Sequence, residues 1–130
     1  MDPERLALLG HVRDAFRGER GPARCREPGH CAECAEADRL LLDLDPVDLN
    51  RMDLDCCSRN WIFPFLTDEG LRWLIPGIVR VVLEQNPPEP ALLLELIAQR
   101  PEDFLGEEQW RAIEELVDWC RESRAERGLR

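Results

Sequence analysis

Apolar residues recur at helical spacing near the start of the chain. The stripe consists of Leu6, Leu9, Val12 and Phe16. Asp2 is suited to cap the helix that this stripe predicts, and Pro3 is favoured in its first turn. The pattern ends in a glycine- and proline-rich loop, which we place over residues 18–30. A further helix is predicted to begin near His30 and to end near Leu42.

A second, wider apolar face covers residues 68–85, and Thr67 before it is a suitable N-cap residue. Pro76 lies inside this face and is expected to kink or split the helix, because proline lacks the N–H that a helix interior uses. Two more helices are predicted over residues 89–100 and 106–124. On the last helix, one apolar stripe contains Trp110, Ile113, Val117 and Cys120.

Strand patterns are weak, and residues 60–65 are the one candidate. The sequence therefore predicts an all-α fold of about five helices, in a single domain that spans residues 1–130. Residues 43–66 are expected to form an irregular acidic segment with one short helix after Asp45. Residues 125–130 are expected to form a frayed tail. Trp73 and Trp110 fall on apolar stripes and are predicted to lie in the core.

Charge and hydropathy narrow the classes of function. The formal net charge of −10 argues against binding to a nucleic-acid backbone, which requires an excess of basic residues. The most apolar stretch, residues 73–83, contains Pro76 and Arg80 and is too short to span a membrane. The opening residues are acidic and are not followed by a long apolar stretch. We therefore expect a cytoplasmic protein with reduced thiols.

Acidic residues concentrate in the middle of the chain, where residues 31–70 contain ten of them against three arginines. One hypothesis is an acidic partner-binding or inhibitor protein, of the immunity or antitoxin type, that uses residues 33–55 against a basic partner. A calcium-binding EF-hand loop beginning at Asp43 is excluded, because Val47 and Leu54 occupy ligand positions.

The sharpest chemical feature is a cluster of potential metal ligands: Cys25, His30, Cys31 and Cys34. Thiolate and imidazole are preferred ligands of zinc, which takes four of them in a tetrahedron. The fourth ligand is left to His30, Cys56 or Cys57, and Cys57 has the freest geometry. The spacing therefore predicts a structural zinc site in this part of the chain.

Two other interpretations of the cysteines stay open. Cys31 at a helix N-terminus would have a lowered pKa, which suits a thiol redox sensor or enzyme. The chain lacks the βαβ pattern that accompanies thioredoxin-like motifs. In the second interpretation, the cysteines are ordinary packing or surface residues. Cys120 is expected in the core, and His11 is expected to pair with Asp14 rather than to act as a base. These residues favour a non-catalytic protein over an enzyme.

Two stretches together carry a family resemblance, His30 to Cys34 (H-C-x-E-C) and residues 63–77 (FPFLTDEGLRWLIPG). The second resembles the F-x-S/T-x-E-G-F-R-Y-Y-L-P-A core of a family of small, uncharacterised bacterial proteins. Trp73 and Ile75 replace residues typical of that family but preserve their apolar character. The resemblance implies an α-rich single domain and no particular reaction. The sequence as a whole thus predicts a non-catalytic binding module with a structural zinc site.

Overall fold

The computed structural model describes residues 2–19, 66–126 and 128. The chain divides into two compact units. The first consists of Met1–Arg17 together with Val79–Arg130, and the second consists of Gly18–Ile78. The described residues form four helices: α1 (Pro3–Ala15), α2 (Asp68–Glu84), α3 (Ala91–Ala98) and α4 (Glu107–Glu126). The predicted all-α fold class is confirmed. The predicted helix over residues 30–42 and the strand candidate at 60–65 lie outside the described residues, and the single-domain organisation stays a prediction.

α1 begins as the sequence predicts. The Asp2 carboxylate accepts a hydrogen bond from the backbone N–H of Arg5 at 2.9 Å, and Pro3 is the first helical residue. α1 packs against α4, and its buried side chains are Leu8, Leu9 and Val12. Leu6, predicted on the buried stripe, is 52% exposed instead. It lies roughly 100° around the helix from the centre of the buried face, too far to reach it.

α2 begins after Thr67, whose Oγ1 accepts a hydrogen bond from the backbone N–H of Gly70 at 2.9 Å. This confirms Thr67 as the N-cap. The helix continues through Pro76 without interruption, so a split at that residue is wrong. Ile75 and Ile78 on either side of the proline are fully buried, and such packing holds a helix together when one backbone hydrogen bond is lost. A kink at Pro76 stays a prediction.

α3 and α4 complete the first unit. α3 buries Leu93, Leu96 and Ile97. α4 buries one continuous face: Ala112, Ile113, Leu116, Val117 and Cys120. In the other unit, the described residues with buried apolar side chains are Leu66, Leu71, Leu74, Ile75 and Ile78. The periodic stripes of the sequence therefore predict most of the buried positions.

The tryptophans depart from their predicted places. Trp110 is 46% exposed, so its assignment to the core is wrong. It lies roughly 90° from the centre of the buried face of α4 and in the first turn of that helix, where no further turn covers it. Trp73 is half-buried rather than fully buried. A large apolar residue at the edge of a stripe can thus be buried or exposed, and periodicity alone does not determine which.

Candidate functional site

The predicted zinc ligands lie outside the described residues: Cys25, His30, Cys31, Cys34 and Cys57. Over residues 2–19, 66–126 and 128, no three histidine, cysteine or carboxylate side chains are grouped so as to hold a metal ion. The zinc site therefore stays a prediction from the sequence. The partner-binding role assigned to residues 33–55 also lies outside the described residues and stays a prediction.

Cys120 is fully buried on α4, which confirms its predicted place in the core. Burial raises the pKa of its thiol to about 11, and the nearby Glu89 carboxylate acts in the same direction. The guanidinium groups of Arg124 and Arg5 oppose this rise, and Arg124 forms an ion pair with Glu89 at 2.9 Å. The thiol is protonated at neutral pH, so Cys120 is a packing residue and not a nucleophile.

The buried thiol is expected to make the protein less stable in alkali. In the unfolded chain it ionises at its ordinary pKa of 9.0, whereas in the folded protein it keeps its proton up to about pH 11. Unfolding within this window therefore releases a proton, and rising pH lowers the free energy of unfolding by up to about 2–3 kcal/mol. The chain contains no lysine and no tyrosine, so the other side chains that titrate there are the five remaining cysteines, and a variant that lacks only Cys120 isolates its contribution.

Denaturant unfolding under reducing conditions, at about pH 8 and about pH 10, measures this effect. Cys120→Ala is the control variant, because it removes the titrating group while keeping a small apolar side chain. We expect the parent protein to lose more stability than Cys120→Ala between the two pH values. Equal losses in the two proteins would show that folding does not raise the pKa of this thiol.

Arg5 connects three helices at the start of α1. Its Nη1 donates hydrogen bonds to the carbonyl oxygens of Leu83 (2.6 Å) and Gln85 (3.4 Å) at the end of α2. Its Nε lies 3.1 Å from Oδ2 of Asp2, and its guanidinium carbon lies 5.3 Å from the centre of the Trp119 ring on α4. The last turn of α2 has no basic residue of its own. Arg5 therefore supplies the positive charge that a helix C-terminus favours, and it positions the indole beside α1.

His11 pairs between helices rather than within α1. Its Nδ1 lies 3.1 and 3.2 Å from the two carboxylate oxygens of Glu115 on α4. The predicted partner, Asp14, forms an ion pair with Arg17 instead. The predicted pairing of His11 with Asp14 is therefore wrong, because the neighbouring helix brings a carboxylate to the ring. Both side chains of the observed pair are more than half exposed.

α1 and α4 run antiparallel and enclose a groove. At one end, side chains from residues 4–8 and 115–122 line a hollow of about 290 Å³. At the other end, side chains from residues 11–15 and 108–115 line a hollow of about 260 Å³. Glu115 lines both hollows, and the two together are named here the α1–α4 groove.

The groove combines apolar and acidic lining residues. The apolar ones are Ala7, Leu8, Ala15, Ala112 and Trp119. The acidic ones are Glu4, Asp14, Glu108, Glu115, Asp118 and Glu122, against one arginine and one histidine. Within the part of the chain that the structure describes, Glu4, Asp118 and Glu122 have no ion-pair partner. This end of the groove therefore carries uncompensated negative charge.

The sequence concentrates acidic residues between residues 31 and 70, and no pattern in it identifies the α1–α4 groove. Periodicity identifies the buried face of each helix, but it does not show which two helices pack together. One signal was present: small residues, Ala7 and Ala112, border the buried faces of both helices. Small side chains at such positions allow close approach of another element, but they are too common to identify a groove by themselves.

No protein-family model, curated protein or solved structure matches this chain. The resemblance carried by residues 30–34 and 63–77 therefore stays a prediction. None of the four described helices combines the length and the apolar composition that crossing a membrane requires.

Proposed function

We propose that the protein is a non-catalytic binding module whose α1–α4 groove holds a basic amphipathic helix of a partner protein. The observation that carries this proposal is the groove itself, with apolar side chains in its lining and acidic side chains along it. A helix with one apolar and one basic face would bury the first in the groove and place arginine or lysine side chains near the carboxylates. Helix-in-groove recognition of this kind is a recurrent mode of protein binding.

The dimensions of the groove support a helical partner. Its α1 side extends from Glu4 to Ala15, which corresponds to roughly 16 Å, or about three turns of a helix. Alanine side chains in the lining let a partner backbone come close. The unpaired carboxylates of Asp118 and Glu122 would steer a basic segment toward the groove and fix its register.

The non-catalytic part of the proposal is supported by the chemistry of two residues. Cys120 is buried and holds its proton well above neutral pH, which is the opposite of what a nucleophilic thiol needs. His11 is exposed and engaged with the Glu115 carboxylate on the protein surface. Neither side chain has the surroundings of a catalytic group.

A structural zinc ion is the second part of the proposal. It rests on the spacing of Cys25, Cys31 and Cys34, with His30 or Cys57 as the remaining ligand. In this role the metal would stabilise its own part of the chain and would take no part in partner binding. The two parts are tested separately, since the groove lies in helices that contain none of these ligands.

The groove is tested with a synthetic amphipathic helix of leucine and arginine, titrated calorimetrically against the full chain. We expect binding that weakens with added salt, and no binding of the same peptide with glutamate in place of arginine. Asp118→Asn combined with Glu122→Gln should weaken binding about three- to tenfold, because two exposed charge contacts are lost.

The charge-matched control is Glu95→Gln combined with Glu126→Gln. Both side chains are exposed and neither lines the groove. This variant has the same net charge as the groove variant, and its affinity should stay within about twofold of the parent. Equal weakening in the two variants would mean that the peptide responds to net charge alone, and binding of the glutamate peptide would contradict the proposal outright.

A further inference from the structure

A second concave surface lies where α3 connects to α4, and it shares no lining residue with the α1–α4 groove. Its volume is about 350 Å³, within the range of roughly 300–1,000 Å³ that is usual for ligand sites. The lining is mainly apolar: Ile97, Ala98, Pro101, Phe104, Leu105 and Trp110. Arg100 and Glu102 add two polar side chains. This surface is named the Trp110 cleft.

The local sequence holds Trp110 in a defined place. Gly106 precedes α4, and its backbone N–H donates a hydrogen bond to Oε1 of Gln109 at 3.0 Å. The backbone N–H of Trp110 donates in turn to the Gly106 carbonyl oxygen at 2.9 Å. Leu105 and Trp110 also occupy the two positions of a hydrophobic staple at the start of a helix. The backbone that carries the indole is therefore anchored before any partner arrives.

Trp110 nevertheless stays 46% exposed. Of the described residues, Leu6 is the other large hydrophobic side chain that is exposed, and it lines none of the three concave surfaces. Trp110 instead forms one wall of the cleft, with the buried Phe104 among the other lining residues. Tryptophan is enriched among residues that dominate interface energies, because it offers a large, rigid contact area. The cleft thus suits a bulky apolar side chain of a protein partner.

The surrounding charges favour a basic partner. Glu107 precedes Trp110 by three residues and Glu114 follows it by four, so both lie next to the indole on the helix surface. Of the nearby cations, Arg111 is 3.0 Å from a Glu107 carboxylate oxygen, and Arg100 lies over the Phe104 ring at 5.9 Å. The net charge of −10 opposes docking of a second copy of this chain.

We infer that the Trp110 cleft binds a segment of a protein partner in which arginine or lysine flanks a bulky apolar side chain. The apolar side chain inserts between the walls that Trp110 and Phe104 form. The flanking cations face Glu107 and Glu114, and one of them stacks on the exposed indole face. This inference uses a different surface from the α1–α4 groove and does not rest on it.

The test is an NMR titration of the full, ¹⁵N-labelled chain with a short peptide that has a central phenylalanine flanked by arginines. We expect the Trp110 indole N–H signal, assigned by its loss in Trp110→Phe, to shift on binding. Trp110→Ala should weaken binding about tenfold or more, as should replacing the peptide's phenylalanine with alanine or its arginines with glutamates. Glu107→Gln combined with Glu114→Gln should weaken it as well, and this variant leaves the tryptophan in place.

Two controls separate this site from the rest of the surface. Leu6→Ala removes an equally exposed apolar side chain and should leave the affinity unchanged. Asp118→Asn combined with Glu122→Gln alters the α1–α4 groove and should also leave it unchanged, so failure of one site is distinguishable from failure of the other. Three results would each overturn the inference. The Trp110 signal would not shift, the glutamate peptide would bind as tightly as the arginine peptide, or the protein would form a concentration-dependent dimer that Trp110→Ala abolishes.

Discussion

Replacing Cys31 or Cys34 with serine is expected to remove a bound zinc ion and to lower the stability of the protein. Both thiolates belong to the predicted site, and a serine hydroxyl is a poor substitute for a thiolate ligand. Zinc binding by isolated zinc-finger peptides is worth on the order of 10 kcal/mol. A domain of this length is stable by about 7–20 kcal/mol, so even a partial loss of that contribution is measurable. Elemental analysis and thermal unfolding of each variant test the prediction.

Cys120→Ser is the matched control, because it makes the same chemical change at a buried cysteine on α4. It should lower the stability, since it places a hydroxyl in an apolar core, but it should leave the metal content unchanged. Acidification should release the metal from the parent protein, because protonated thiols do not bind zinc. Two results together would exclude the site. Protein purified without chelator would hold well under one equivalent of metal, and Cys31→Ser and Cys34→Ser would melt at the same temperature as the parent.

Helix starts and buried faces could be predicted because both depend on nearby residues. Asp2 and Thr67 cap their helices through hydrogen bonds that span three residues, and Cys120 falls on a stripe that four other apolar side chains of α4 define. Leu6 and Trp110 were predicted wrongly for the complementary reason. Each lies at the margin of its stripe, and burial there depends on whether another element covers the residue.

The candidate binding surfaces depend on contacts between distant parts of the chain, which no local pattern contains. Arg5 reaches the carbonyl of Leu83, 78 residues away, and His11 meets Glu115, 104 residues away. Arg5 also pairs with the nearby Asp2, whereas Asp14, the local partner predicted for His11, pairs with Arg17 instead. The distant partners depend on how α1 lies beside α4 and beside the end of α2, which follows from shape rather than from spacing.

That packing gives a second large effect: Leu9→Ala is expected to destabilise the protein by about 2–5 kcal/mol. The side chain is 2% exposed on the face of α1 that is buried, so its removal exposes or leaves empty the space that it fills. Leu6→Ala on the same helix removes the same atoms from a side chain that is 52% exposed. It should change the free energy of unfolding by no more than about 0.5 kcal/mol.

The comparison of these two variants also tests the groove, because the groove depends on the orientation of α1. In this arrangement α1 presents its Leu9 face to the core and its Glu4 and His11 side chains to α4. Denaturant unfolding, with the slope of the transition checked for each variant, gives the two free energies. If Leu6→Ala proved as costly as Leu9→Ala, α1 would be rotated about its axis relative to this arrangement. The acidic side chains of α1 would then not line a groove with α4, and the proposed recognition of a basic helix would lose its structural basis.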